Sequence, residues 1–156
     1  MSILISPFSK PMRDGKENPK NYPYWDEVVK TLVERGHEVS QLQYGSESTI
    51  PSCREIVHYS SVQIVEMLVD ECDTYIAVDN FLQHLAHYRK KYGVVIWGKS
   101  DPALFGYPEN TNLLKDPKFL RNHQFETWEA EQFDPNVFVD PQIVIEAVEK
   151  IIVSKT

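Results

Sequence analysis

Five uncharged residues, Thr74-Tyr75-Ile76-Ala77-Val78, run straight into an acid, Asp79. Apolar residues then return at helical spacing through Asn80-Phe81-Leu82-Gln83-His84-Leu85-Ala86. A second apolar run, Gly93 to Trp97, ends in the turn sequence Gly98-Lys99-Ser100-Asp101-Pro102. A short strand that is apolar on both sides fits a sheet covered on both faces. Two such strands joined by a helix are parallel neighbours, because a parallel connection needs a crossover. This unit points to an open α/β sheet, whose ligands bind beyond the carboxyl ends of the strands.

The rest of the chain extends the alternation. Ile3 to Ile5 predicts a first strand, followed by a long Pro-, Lys-, Gly- and Asn-rich loop, Ser6 to Tyr22. So long a loop in a compact unit is usually functional or mobile. Pro23 opens a predicted helix with Trp25, Val28, Val29 and Leu32 as its apolar stripe,, and Arg35-Gly36 stops it. His37 to Leu42 predicts a second strand, Gln43 to Arg54 a polar loop, and Glu55 to His58 a short third strand. Ser60 or Ser61 caps a helix to Glu71 with Ile64, Leu68 and Cys72 inward,. Asn80 to Lys91 is the next helix, Asn112 to Leu114 a last strand, and Pro117 to Trp128 irregular. Pro141 to Val153 closes the chain as a helix with Ile143, Val144, Ala147, Val148, Ile151 and Ile152 toward the sheet. The expected architecture is one Rossmann-like α/β/α sandwich over residues 1–156, with a mainly parallel sheet and right-handed crossovers.

The 156 residues suffice for one core, and a net charge of -7 argues against a broad grip on nucleic-acid phosphates,. No apolar run reaches membrane-spanning length, and the start lacks the features of a signal peptide. Cys53 and Cys72 read as free thiols, so a cytoplasmic protein is expected,. His84 and His87 stand three apart without an acidic pair, which argues against a metal site,. The Gly-rich dinucleotide fingerprint, the P-loop and the serine and thiol hydrolase signatures are absent,.

Four polar loops follow strands and converge on one edge. Asp79 serves either as an N-cap or as an acceptor for ligand hydroxyls. The amides of Asn80, Phe81 and Leu82 form the positive end of a helix, a place for phosphate. His84, one turn in, is a donor to a phosphate or sugar oxygen or a structural side chain. Ser100 and Asp101 line the edge or simply form a turn. Lys20, with Arg13 and Lys16 in the same loop, can pair with a diphosphate. Glu47 is placed to accept ribose hydroxyls, as an acid after the second strand does in dinucleotide folds. Tyr22, Tyr24, Phe105 and Tyr107 read as exposed aromatics, for base stacking or dimer contact.

Three motifs in order resemble the C-terminal, donor-binding half of family 9 glycosyltransferases, the ADP-heptose:lipopolysaccharide heptosyltransferase group with a GT-B fold. Lys20-Asn21-Tyr22-Pro23 matches the family's Lys-x-Trp-Pro, and Asp79, Asn80, His84 and Ala86 match Asp-(Thr/Ser/Asn)-Gly-x-x-His-x-Ala. Gly98-Lys99-Ser100-Asp101-Pro102 matches Gly-Pro-Thr-Asp-Pro. The resemblance implies Lys20 on a donor diphosphate and Glu47 on the ribose. It implies phosphate at the amides of Asn80 to Leu82 with His84 close by, and Ser100 and Asp101 in the lining. Phe81 departs from the family's glycine, and the family's acceptor-binding half, which carries the catalytic base, has no counterpart here. The implied function is a glycosyltransferase-like protein using a nucleotide-diphosphate sugar as substrate and no separate cofactor. Transfer would need a homodimer cleft or a separate acceptor-binding subunit, with Asp14, Glu17 and Asp101 as open candidates for the base. The alternative is a non-catalytic module that binds, sequesters or senses a nucleotide or nucleotide sugar.

Overall fold

A computed structural model describes all residues from Met1 to Thr156. Six strands alternate with helices: β1 (Ser2–Ser6), α1 (Trp25–Glu34), β2 (Glu38–Gln43), β3 (Glu55–His58), α2 (Val62–Glu71), β4 (Thr74–Val78), α3 (Phe81–Tyr88), β5 (Val94–Trp97), α4 (Pro102–Phe105), β6 (Thr111–Leu114) and α5 (Pro141–Ser154). All neighbours pair in parallel, in the order β3-β2-β1-β4-β5-β6. The chain therefore leaves the sheet centre in both directions, and the order reverses between β1 and β4. Such a switch point opens a crevice at the carboxyl edge.

Alternate residues along each strand feed two cores. Ile3, Ile5, Val39, Ile76, Val78, Val94 and Ile96 pack under α1 and α5. Leu4, Leu42, Tyr75, Ala77, Val95 and Trp97 pack under α2 and α3. Helices thus cover both faces, giving the three-layer sandwich that the strand-helix alternation predicts. No helix is long and apolar enough to cross a membrane. Cys53 and Cys72 are unpaired and lie on opposite sides of the sheet.

The structure corrects several local expectations. In α2 the buried stripe is Val65 and Val69, one residue round from Ile64 and Leu68, with Cys72 buried just beyond the helix end. In α5 Ile143 is exposed and Ile145 takes its place in the core, because the buried stripe runs through Val144, Ile145, Val148 and Ile152. Helix α1 begins at Trp25, two residues after Pro23. Helix α3 ends at Tyr88 and reverses through Lys90, whose φ is 57°. Tyr22 is buried, its ring edge-on to Trp25 and Phe138 at 5.7 and 5.8 Å, and its hydroxyl donates to the Val139 carbonyl at 2.9 Å. Tyr24, Trp25 and Phe138 pack around it, so the ring has no free face for a ligand.

Candidate functional site

The long loop after β1 is a pinned structure. Asn21 Oδ1 accepts from the Ser9 amide at 2.8 Å, and Asn18 Nδ2 donates to the Lys10 carbonyl at 2.8 Å. Asn18 Oδ1 accepts from the Lys20 amide at 2.9 Å, and Trp25 Nε1 donates to the Pro7 carbonyl at 3.1 Å. Buried amide side chains here stand in for the ladder partners that an irregular backbone lacks. The result fixes Lys20 over the sheet edge.

Asn80 joins that loop to the start of α3. It is the N-cap: its Oδ1 accepts from the Leu82 amide at 3.0 Å. Its Nδ2 donates to the carbonyls of Ser6 and Phe8, each at 3.1 Å. The capping role that the sequence allowed Asp79 falls instead to its neighbour, which leaves the Asp79 carboxylate free for longer-range bonds. Asp79 is 8% exposed. Its Oδ1 accepts from Gln83 Nε2 at 2.8 Å, and its Oδ2 lies 3.1 Å from Lys20 Nζ. Lys20 Nζ also stands 5.2 Å from the centroid of the Trp128 ring.

The second wall comes from β2. Gln41 bonds the Ser48 carbonyl at 2.8 Å and the Ile50 amide at 2.7 Å, and Gln43 donates to the Glu47 carbonyl. These two buried glutamines tie down the loop that carries Glu47. Glu47 Oε2 accepts from the Tyr44 amide at 3.0 Å, and burial raises its carboxyl above the usual range. Beside it the rings of Tyr44, Tyr59 and Phe81 form a continuous row, with centroids 5.6 and 5.8 Å apart.

Together these elements line an open cavity of about 1010 Å³, into which Lys20, Glu47, Asp79, Asn80 and Phe81 all reach. A hollow of about 220 Å³ adjoins it, sharing Lys20, Asp79 and Trp128 and adding Ser100. The other sequence candidates lie outside. Leu82 is wholly buried in the α2/α3 core. Asp101 caps α4, accepting from the Ala103 amide at 2.9 Å. His84 is exposed on α3, with Nδ1 2.7 Å from the Tyr107 hydroxyl, and the Tyr107 ring stacks on His87 at 3.8 Å. Trp128, Tyr44 and Tyr59 join the lining without having been singled out from sequence. Tyr59 follows β3 directly, so the strand-end rule reaches it. Trp128 sits in a segment without periodicity, positioned by Arg121, whose guanidinium lies 3.7 Å from its ring centroid.

The cavity can hold an elongated polar ligand. A cation and the amino end of a helix meet at the switch point, the usual setting for phosphate. A half-buried carboxylate stands across from them, beside three rings.

No protein-family model matches the sequence, and no curated protein matches it in sequence. Solved structures do match its fold. ADP-heptose lps heptosyltransferase II of E. coli aligns with 99% of this chain and 47% of its own, at a TM-score of 0.73 and 16% identity. The dodecameric iron-containing heptosyltransferase TibC, in complex with ADP-D-beta-D-heptose, aligns over 99% of this chain and 46% of its own, at 0.70 and 17%. E. coli heptosyltransferase WaaC with ADP-2-deoxy-2-fluoro heptose gives 99% and 43%, at 0.61 and 14%. The chain spans about half the length of the structures it matches. At these identities the likeness is one of fold: this chain has the Rossmann-like fold of one half of a GT-B heptosyltransferase.

Proposed function

We propose that the chain binds a nucleotide-diphosphate sugar at the carboxyl edge of its sheet, as a glycosyltransferase-like protein whose transfer step needs a second protein surface. The observation that carries this reading is the convergence of Lys20 and the amino end of α3 at the β1/β4 switch point, with Glu47 across the cavity. Lys20 and the Phe81 amide at the start of α3 hold the diphosphate, because the Leu82 amide is already taken by the Asn80 cap. Glu47 accepts hydroxyls of the ribose, and the row of rings lies against the base.

The same groups suit glycosyl transfer. An acceptor hydroxyl oxygen attacks the anomeric carbon and passes its proton to a carboxylate base on the second surface, while the bond from that carbon to the phosphate oxygen breaks and its electron pair leaves with the diphosphate. A fixed ammonium and helix end stabilise the charge that develops there. The acceptor must be held beside the anomeric carbon, and this cleft offers one wall. A second copy of the chain or a separate acceptor-binding subunit would complete it. A cytoplasmic location goes with this reading, since nucleotide sugars are intracellular donors.

Thermal shift against ADP, UDP and GDP and their sugar derivatives tests the reading. Binding to the folded state alone stabilises it by about 2.7 kcal/mol at a hundredfold excess over Kd. A clear rise with one diphosphate, lost in Lys20→Ala, is the expected result. No rise with any of them overturns it. A second reading is binding without turnover, since the cavity offers one wall of the cleft that transfer needs,. It predicts the same shift with no release of free nucleoside diphosphate when candidate acceptors are added.

A further inference from the structure

The two hollows at the sheet edge meet at Lys20, Asp79 and Trp128, which line both. They differ in size and chemistry. The larger, about 1010 Å³, is at the upper end of what a drug-sized ligand fills,. The smaller, about 220 Å³, has room for roughly seven waters at their liquid volume,. That suits one sugar ring and is too little for a nucleoside.

The lining of the small hollow is equally particular. Phe105 and Phe125 form an edge-on pair with centroids 5.3 Å apart, and Trp128 closes the side toward Lys20. Phe125 is 80% exposed, so its ring is accessible to a ligand in the hollow it lines. Ser100 is 3% exposed as a residue, and its hydroxyl makes no hydrogen bond within the protein, so it is left free to bond a ligand in the hollow it lines,. The Gln124 side chain is not available. Its Oε1 accepts from the Asp101 amide, and its Nε2 donates to the carbonyls of Lys99 and Arg121. Aromatic rings beside one unpaired hydroxyl, with Glu126 also in the lining, fit the apolar CH face and polar edge of a pyranose,.

We propose that the small hollow is the glycosyl subsite. The ligand then lies across the Lys20–Asp79 pair, with its nucleoside in the large cavity, its diphosphate at Lys20, and its sugar between Ser100 and the Phe105, Phe125 and Trp128 rings. This assignment rests on the nucleotide-sugar reading above and adds the direction in which the ligand runs.

Titration calorimetry with matched probes tests it: ADP with ADP-D-β-D-heptose, UDP with UDP-glucose, and GDP with GDP-mannose. For the pair that binds, Ser100→Ala and Phe125→Ser should each weaken the sugar form by roughly three- to tenfold, the scale of one lost contact. Affinity for the bare diphosphate should stay the same in both variants. Phe125→Ser changes a surface ring, so it keeps the test valid if the buried Ser100 variant fails to fold. Equal affinities of the sugar form for wild type and Phe125→Ser would overturn the subsite, as would a parallel loss for the bare diphosphate. If no diphosphate and no sugar form binds the wild type, the nucleotide-sugar reading fails, and the subsite with it.

Discussion

Lys20 Nζ and Asp79 Oδ2 lie 3.1 Å apart across the β1/β4 switch point, with only 23% and 10% of their side chains exposed. The pair ties the loop after β1 to the end of β4, two segments 59 residues apart in sequence. In the ligand-free protein Asp79 therefore holds the cation that a diphosphate would use.

Lys20→Ala leaves the Asp79 carboxylate with Gln83 as its one side-chain donor. An ion pair this sheltered stands between the surface and buried limits, so the variant should lose about 1–3 kcal/mol of stability. Lys20→Ala with Asp79→Asn should recover part of that loss, because no uncompensated charge remains. Urea denaturation of the wild type and the two variants checks the order. Nucleoside diphosphate affinity should fall in both variants that lack Lys20, whatever their stability.

Glu47 gives a pH-dependent prediction. Burial raises its carboxyl above its ordinary value, while the Tyr44 amide opposes the shift more weakly. The native state thus holds this proton more tightly than the unfolded chain. Below the unfolded pKa the carboxyl is protonated in both states and the effect vanishes. As pH rises through the raised native value, ionisation disfavours the folded state. Glu47→Gln keeps an acceptor for the Tyr44 amide and removes that charge. Its melting temperature should exceed that of the wild type at neutral pH, and the gap should close toward roughly pH 4. Nucleotide affinity should fall in the same variant, so stability and binding move in opposite directions.

Much of the scaffold was legible in the sequence because strands apolar on both sides have few alternatives. Thr74 to Val78 and Gly93 to Trp97 could only be central strands, and the loops after them could only share an edge. Helix faces were less legible. In α2, Ile64, Val65, Leu68 and Val69 are all apolar, so sequence does not decide which pair points inward; packing against β4 and α3 does. The site divides the same way. Lys20, Glu47, Asp79, Asn80 and Phe81 reach the cavity because each follows a strand or the loop of one. His84 lies a full turn into α3, and the helix turns it toward Tyr107. Trp128 was not legible: its place depends on a buried arginine in a segment with no repeating pattern.

Two glycines mark where the sheet permits no side chain. A Cβ on Gly93 would stand 2.3 Å from the Tyr75 carbonyl oxygen, a backbone atom of the neighbouring strand. A Cβ on Gly98 would stand 2.8 Å from the Phe138 ring, a buried side chain that can yield only by repacking against Tyr22. Both alanine variants are overpacked, but relief at Gly93 requires β4 and β5 to move apart. Gly93→Ala should therefore cost about 3 kcal/mol or more and Gly98→Ala about 1–2 kcal/mol, measured by urea unfolding at constant m value.

Arg121 supports Trp128 and should show it in both stability and fluorescence. The side chain is 9% exposed. Its Nη1 donates to the Thr127 carbonyl at 3.0 Å, and its Nη2 donates to the carbonyls of Gln124, at 3.0 Å, and Glu126. The planar guanidinium also lies flat enough to reach the Trp128 ring at 3.7 Å. A lysine brings one compact ammonium and cannot serve several carbonyls and a ring face together. Arg121→Lys should lose about 1–2 kcal/mol and Arg121→Met about 2–4 kcal/mol, since the latter leaves the carbonyls unpaired as well. In a Trp25→Phe, Trp97→Phe background, Trp128 is the sole tryptophan, and its emission should move to the red in both Arg121 variants as the ring is released to water. Nucleotide-diphosphate affinity should fall with it, because the wall between the two hollows is no longer fixed. An unchanged emission maximum would show that the segment 122–131 holds Trp128 without the arginine.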